Sequence, residues 1–163
     1  MGAIAIAAIA IAAVACAGSA HALTPEEIVN HRGTDRQQIL IDGAKKEGQV
    51  VLYSALIVNQ MLRPLAAGFM KKYPFIKMTY YRADSEELLA KLSAETRANK
   101  VVADVFEGSG GGEIAVEAGF TRAFYSPELE SYPKIYLDPK GHLAPTRLSY
   151  FSIAYNTRQV VGD

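Results

Sequence analysis

The hexapeptide Gln49-Val50-Val51-Leu52-Tyr53-Ser54 is apolar and β-branched at its start, and patterns typical of helices flank it on both sides. A short run of this kind predicts a strand that is buried on both faces, as the strands of parallel sheets are. We therefore expect an α/β fold with a mostly parallel sheet flanked by helices. Parallel sheets bind ligands at the carboxyl ends of their strands, and Tyr53 and Ser54 lie at that end.

Two further strands are predicted at Lys77–Tyr81 and Val101–Phe106, and polar sequence follows each of them. The first is followed by Arg82-Ala83-Asp84-Ser85 and the second by Glu107-Gly108-Ser109-Gly110. If the three strands are parallel neighbours, these polar groups share one rim with Ser54. The sequence therefore predicts a cleft for a small molecule, and we interpret the chain as a binding protein rather than an enzyme.

The glycine-rich turn at Gly108–Gly112 has two interpretations. A turn of this kind before a helix can bind an anion through its backbone N–H groups. A tight or flexible turn explains the same residues equally well. The spacing matches neither the dinucleotide-binding fingerprint nor the P-loop, because Glu113 occupies the last glycine position and no Gly-Lys-Ser/Thr follows.

Helices are predicted around these strands from apolar periodicity and from end signals. Asp84 with Glu87 matches a capping box at the start of one helix. Residues 23–34 read as a loosely held polar lead-in, and 120–148 as a long irregular stretch. The predicted helices and last strand are Thr34/Asp35 to Gly48, Gln60 to Tyr73, Asp84 to about Thr96, Glu113–Ala118 and the strand Ser149–Asn156.

Composition narrows the function classes. The 163 residues suggest one domain, and half of them are hydrophobic. Lys plus Arg equals Asp plus Glu at 17 each, so the basic excess of a typical nucleic-acid-binding protein is missing. The chain has no Gly-x-Ser-x-Gly motif. Two alternatives stay open: a small exported α/β hydrolase or transferase, and the effector-sensing domain of a regulator.

The first 22 residues resemble a secretory signal peptide. Residues 2–20 carry no charge, and Ala20-His21-Ala22 is a signal-peptidase site that predicts cleavage after Ala22. The alternatives are a membrane anchor and, from the weak match at Ala13–Cys16, a lipoprotein signal. Cys16 is the only cysteine, so we expect a mature chain without a thiol nucleophile, a disulfide or a thiolate metal site.

The order of several segments resembles the extracellular solute-binding proteins of bacterial ABC importers, in the group that includes ferric-iron binders. The matching segments are Ala44–Ser54, Phe69–Pro74, Tyr81–Ser85, Ala103–Val105 and Ile153–Thr157. The resemblance implies a type II periplasmic-binding-protein fold of two α/β lobes. Residues 35–148 would be the first lobe, and 149–163 a strand crossing toward a missing second lobe, so that we expect a fragment.

The resemblance also implies a function. The protein would be a periplasmic monomer that captures a small solute and presents it to an inner-membrane ABC permease, with no cofactor of its own. Its cargo would be ferric iron or a small organic or anionic solute. The family's iron-binding tyrosine pair would lie beyond Asp163, and Tyr80-Tyr81 is not in that place, so we predict no metal site within the chain.

The implied ligand contacts are few. Arg82 could pair with a carboxylate or phosphate of the solute, or it could form a surface salt bridge. The residues that match first-lobe contacts are Ser54, Ala55, Arg82, Ser109 and Gly110, with Tyr155 and Asn156 near the hinge.

Overall fold

The computed structural model describes residues 23–156 and 158–159. The predicted signal peptide, residues 1–22, therefore lies outside the described residues, as do residue 157 and residues 160–163. Among the described residues, no helix has both the length and the apolar character needed to cross a membrane.

Three parallel strands form the sheet. They are β1 (Gln49–Ser54), β2 (Lys77–Arg82) and β3 (Val105–Glu107), in the order β2-β1-β3. The central strand β1 has the predicted bounds, and helices flank the sheet. The prediction of an α/β fold with a parallel sheet is confirmed.

The helices lie close to their predicted positions. A single π-helical turn, Val58–Leu62, leads from the end of β1 into the second predicted helix, and Pro64 occupies the first turn of that helix, where proline is tolerated. Two short 3₁₀ turns, Pro127–Ser131 and Lys134–Tyr136, interrupt the irregular stretch. The α-helices are α1 (Pro25–Asn30), α2 (Arg36–Glu47), α3 (Arg63–Lys72), α4 (Ser85–Arg97) and α5 (Gly112–Glu117).

The polar lead-in contains a helix, α1, that we did not predict. Thr24 and Glu27 form a capping box, in which the Thr24 Oγ1 accepts from the Glu27 N–H and the Glu27 carboxylate accepts from the Thr24 N–H. Helix α1 follows, and the Tyr125 N–H donates to the Val29 carbonyl at 3.0 Å. These contacts attach α1 to the irregular stretch.

The capping box predicted at Asp84 is absent. Asp84 occupies the N-cap position of α4, but its side chain makes no capping hydrogen bond. Its carboxylate lies 3.6 Å from the guanidinium of Arg82 instead. A charged neighbour has replaced the backbone N–H as the partner of this carboxylate.

Residues 101–104 and Ser149–Asn156 were predicted to be strand, but they do not form strands. Asp104 accepts the Val51 N–H through its side chain at 2.8 Å, and β3 begins only at Val105. The segment Ser149–Asn156 has no regular secondary structure, and Phe151 within it is 97% exposed. A strand needs a neighbour that accepts and donates its backbone hydrogen bonds, and among the described residues this segment has none.

The core lies on both faces of β1. Successive side chains of a strand point to opposite faces, and Leu52 and Tyr53 accordingly enter two separate clusters. Leu52 packs with Leu56 and Leu62, whereas Tyr53 packs with Ala83 and Leu88. Burial increases along β1 toward Ser54, which is fully buried. The best-buried part of β1 is therefore its carboxyl end.

Candidate functional site

The carboxyl ends of the three strands lie level with one another. Ser54 is the register partner of Arg82 on β2 and of Glu107 on β3, and these are the last residues of their strands. The polar residues at the strand ends therefore share one edge of the sheet, as we predicted. We call this edge the rim.

Ser54 and Glu107 form the centre of the rim. The Ser54 hydroxyl is fully buried and donates to a Glu107 carboxylate oxygen at 2.6 Å. The same hydroxyl oxygen accepts the Leu56 N–H at 3.1 Å, and the Ala55 N–H donates to the Glu107 carbonyl at 3.1 Å. Ser54 and Ala55 are thus used to join β1 to β3, and the Ala55 N–H already has a partner.

Arg147 extends this network toward solvent. Its Nη2 lies 3.6 Å from the second carboxylate oxygen of Glu107 and donates to the Ser109 hydroxyl at 3.2 Å. The Glu107 side chain is only 10% exposed, whereas the Arg147 side chain is 41% exposed. The arrangement places a carboxylate on the inner side of the rim and a guanidinium on its outer side.

The glycine-rich turn is tight and fixed to α4. The Ser109 N–H donates to the Ser85 Oγ at 3.0 Å. A Cβ at Gly108 would lie 3.0 Å from that same Oγ, and Gly110 has a φ of +74°. Close approach and a positive φ account for these two glycines. The Ser109 N–H is bound to Ser85, and its hydroxyl is the group that faces Arg147.

Arg82 lies on the rim but apart from this network. Its guanidinium is 3.6 Å from the Asp84 carboxylate, and the two side chains are 43% and 86% exposed. This is the surface salt bridge that the sequence left open as an alternative to ligand binding. A pair this exposed contributes at most about 1 kcal/mol to stability.

Tyr155 and Asn156 are not brought to the rim. Tyr155 is 61% exposed, and the Asn156 side chain accepts only from the nearby Arg158 N–H. No hydrogen bond or ion pair in the described part of the chain joins either residue to Ser54 or Glu107. Of the seven predicted contacts, five lie at the rim and these two do not.

The sequence placed Glu107 and Ser85 at the rim but did not indicate their contacts, and Arg147 was not predicted at all. Glu107 ends a buried strand with a charged residue, which is a usable signal. Ser85 was explained as part of a helix start, and its hydroxyl instead binds the Ser109 N–H. Arg147 lies in an irregular segment 38 residues beyond Ser109, and no local pattern links it to the sheet.

A second polar cluster lies between the sheet and α4. The Tyr53 hydroxyl donates to the Glu95 carboxylate at 2.7 Å, and the Lys91 ammonium lies 2.8 Å from the same oxygen. The Lys91 ammonium is also 5.4 and 5.3 Å from the ring centres of Tyr53 and Tyr81. The cluster attaches α4 to β1 and β2, and its groups use one another as partners.

The pKa values of this cluster follow from those contacts. Burial raises the pKa of the Tyr53 hydroxyl, and its hydrogen bond to Glu95 raises it further. Burial also raises the pKa of Glu95, but the hydrogen bonds from Lys91, Tyr53 and the Val102 N–H together lower it below its ordinary value of 4.5. The hydrogen bond to Glu95 raises the pKa of Lys91. The pKa shifts of Lys91 and Glu95 favour the charged pair, and the pKa shift of Tyr53 favours the protonated hydroxyl that donates to Glu95.

Two open grooves lie away from the rim. One, of about 390 Å³, is lined by Glu113 and by residues between Ile135 and Pro145, which are mostly apolar but include Asp138. The other, of about 480 Å³, lies beside Val101, Val102 and Asp104. Neither contains a rim residue. Among the described residues, no three His, Cys, Asp or Glu side chains are grouped so that they could hold a metal ion.

No model of a known protein family matches the chain, and no curated protein matches its sequence.

Proposed function

We propose that the protein is the substrate-binding component of an ABC importer, and that its fold is the first lobe of a type II periplasmic binding protein. The observation that supports this proposal is the rim, where three parallel strands end level. There, two hydrogen bonds and one ion pair join Ser54, Glu107, Ser109 and Arg147. Open α/β sheets bind small ligands at this end of the strands.

The rim is suited to binding because its groups are fixed before a ligand arrives. Ser54 and Glu107 belong to strands, and Ser109 is fixed by Ser85 at the start of α4. A site built on such elements loses little conformational entropy when it binds. The outer side of the rim is open, which suits a receptor that closes a second surface over its ligand by hinge motion.

In this proposal the protein works in the periplasm as a monomer. It captures a small organic or anionic solute, or ferric iron, and presents the bound form to an inner-membrane permease. It releases the solute unchanged. Neither nucleic acid nor a resident cofactor takes part.

The experiment is a solute screen with the full chain. Thermal-shift measurements against a library of amino acids, organic acids, sugars, phosphates and ferric citrate would find candidates, and titration calorimetry would measure their Kd. We expect saturable binding of at least one solute, weakened by Ser109→Ala and unchanged by Ser131→Ala. Ser131 is the matched control because it is exposed and its hydroxyl binds only the nearby Glu128 carbonyl.

Two results would contradict the proposal. One is the absence of saturable binding by a chain whose circular dichroism spectrum and cooperative melting show that it is folded. The other is conversion of a bound solute into product, detected by mass spectrometry, since a transport receptor leaves its solute unchanged. Turnover of this kind would favour the hydrolase or transferase alternative.

A further inference from the structure

We propose that Arg147 is the residue with which the rim recognises its ligand, and that the recognised group is an oxyanion, either a carboxylate or a phosphate. The inference rests on the proposed function, in that it assumes that the rim binds a solute. It adds the chemical class of the solute and the residue that selects it.

Glu107 is the carboxylate at the centre of the network. One of its oxygens accepts the Ser54 hydroxyl at 2.6 Å, and the other faces Arg147 at 3.6 Å. Its side chain is 90% buried. The two oxygens are covered by Ser54 and by Arg147, so little of the negative charge of Glu107 is exposed to a ligand on the outer side.

The N–H donors of Arg147 are the groups that would bind the ligand. A guanidinium has five N–H donors and no acceptor. Both of the contacts that Arg147 makes, to the Ser109 hydroxyl and to Glu107, use the same nitrogen, Nη2. Its Nε and Nη1 form no hydrogen bond within residues 23–156 and 158–159, and 41% of the side chain is exposed. The network therefore does not use these two donors, and part of the side chain is open to solvent.

The geometry of a guanidinium matches that of an oxyanion. The planar guanidinium places two N–H groups parallel to each other, at the spacing of two oxygens of a carboxylate or phosphate. Both edges of a guanidinium that present parallel N–H groups include one N–H of Nη2, and the Ser109 contact uses only one of the two Nη2–H groups. The second Nη2–H, together with Nε–H or Nη1–H, forms the edge that an oxyanion can bind. Ser109, whose hydroxyl accepts from Arg147, can donate its own hydroxyl hydrogen to the same ligand.

Arg82 is the other arginine of the rim, and it is the weaker candidate. Its carboxylate partner Asp84 is 86% exposed and lies 3.6 Å away on the outer surface. An approaching anion would meet the charge of Asp84 beside Arg82, and like charges at an interface are unfavourable. The partner of Arg147 is buried instead. The difference in exposure between Asp84 and Glu107 selects Arg147.

Glu107 is then a positioning residue, which acts on the ligand through Arg147. Its removal would leave the guanidinium with a single contact, to Ser109, and would free it to adopt other rotamers. We expect Glu107→Gln to weaken anion binding less than the loss of Arg147 does, because the positive charge is retained.

The test measures the binding of three probes by titration calorimetry at low salt: inorganic phosphate, succinate and, as an uncharged compound, glucose. The proteins are the full chain and its Arg147→Gln, Arg147→Lys, Arg82→Gln and Arg122→Gln variants. Arg122 is the matched control, because it forms an exposed 3.3 Å pair with Glu26 away from the rim. The stronger of phosphate and succinate identifies the source of the oxyanion.

We expect the full chain to bind phosphate or succinate and not glucose. Arg147→Gln should weaken that binding about 10- to 100-fold, the usual effect of losing charged hydrogen bonds. Arg147→Lys should recover only part of it, since an ammonium cannot form the two parallel bonds. Arg82→Gln and Arg122→Gln should change the Kd less than about 3-fold, as screened surface charges do.

Several outcomes would overturn the inference while leaving the proposed function standing. They are binding of glucose alone, an unchanged Kd in Arg147→Gln, and an equal loss in Arg82→Gln. Absence of binding to all three probes and to the solute library would overturn both. If Arg147→Gln does not fold, NMR of the unmodified chain decides. The Nε–H signal of Arg147 must shift on saturation with phosphate or succinate, and an unmoved signal refutes the assignment.

Discussion

The Ser54 hydroxyl donates to the Glu107 carboxylate across the ends of β1 and β3, at 2.6 Å. The two residues are also register partners, and the Ala55 N–H donates to the Glu107 carbonyl at 3.1 Å. One side-chain bond and one backbone bond therefore close the same pair of strand ends. This double link keeps Glu107 inward, and it fixes the position from which Arg147 extends.

We predict that Ser54→Ala destabilises the fold by about 1–3 kcal/mol, the usual cost of leaving a buried polar group without its partner. The substitution removes the donor to Glu107 and the acceptor for the Leu56 N–H at once. Urea denaturation followed by circular dichroism would measure the change. Ser131→Ala, at an exposed serine, should change the free energy of unfolding by less than about 0.5 kcal/mol. Equal effects of the two substitutions would contradict this prediction.

A second prediction compares two leucines that follow β1. Leu62 is fully buried against Leu52 and Leu56, whereas Leu65 is 47% exposed. Leu62→Ala should cost about 2–5 kcal/mol, because it removes a buried side chain and leaves a cavity. Leu65→Ala should cost less than about 1 kcal/mol. Denaturant midpoints of both variants give the comparison, and a larger loss in Leu65→Ala would show that the π-helical turn is oriented differently.

Local sequence signals predicted the parts of the fold that depend on local physics. The bounds of β1 follow from a β-branched run between helices, and the end of α2 follows from Gly48, whose φ is +70°. The capping box of Thr24 and Glu27 was equally visible in the sequence, and we gave the polar composition of the segment more weight. The start signal of α1, which we did not use, is therefore local.

The remaining errors concern distant partners. The β propensity of Ser149–Asn156 predicted a strand, but propensity supplies no neighbour for its backbone groups. The capping box expected at Asp84 is a local exception, because the Asp84 carboxylate pairs with Arg82 two residues away. The rim was predictable because the carboxyl ends of parallel strands must meet. The pairing of Glu107 with Arg147 was not, because it joins a strand to an irregular segment through side chains alone.

The third prediction uses two glycines near helices. Gly68 lies on α3 with open space where a Cβ would be, so Gly68→Ala should stabilise the protein by about 0.5–1 kcal/mol through helix propensity. Gly48 ends α2 at a φ of +70°, where an L side chain is strained. Gly48→Ala should therefore destabilise by roughly 1–2 kcal/mol. Thermal melts of both variants test the opposite signs, and two shifts of the same sign would contradict the prediction.

The fourth prediction concerns the acid stability of the α4 cluster. Although burial raises the pKa of Glu95, hydrogen bonds from Lys91 and Tyr53 lower it to below 4.5 in the folded state. A depressed folded pKa means that the stabilisation is present above the ordinary pKa and is lost as the pH falls through the lowered value. We expect the unmodified chain to lose stability as the pH falls from about 5 toward 3. Glu95→Gln should be less stable near pH 7 and should lose less over that interval.

The comparison between variants isolates Glu95 from the other acids. The pKa of Asp138 is also lowered, by hydrogen bonds from the Lys140, His142 and Leu143 N–H groups that outweigh the effect of burial, and it adds to the same acid limb in every variant. Glu117→Gln, at an exposed position on α5, serves as the control. Urea unfolding at each pH gives the free energies. Parallel acid limbs for Glu95→Gln and the unmodified chain would show that the pairing with Lys91 is not formed in solution.

The last prediction concerns the segment Ser149–Asn156, which has no regular structure and exposes its aromatic residues. Tyr150 is 89% and Phe151 97% exposed, whereas Tyr53 in the core is 2% exposed. Proteases cut where the backbone can open locally, and segments with few buried contacts open most easily. Among the described residues, brief chymotrypsin treatment should therefore cut first after Tyr150 or Phe151. Mass spectrometry of the fragments identifies the site, and with the double variant Tyr150→Ser/Phe151→Ser the cut should move or slow. Protection of this segment in the unmodified chain at micromolar concentration would contradict the prediction, because it would mean that another surface covers Phe151 in solution.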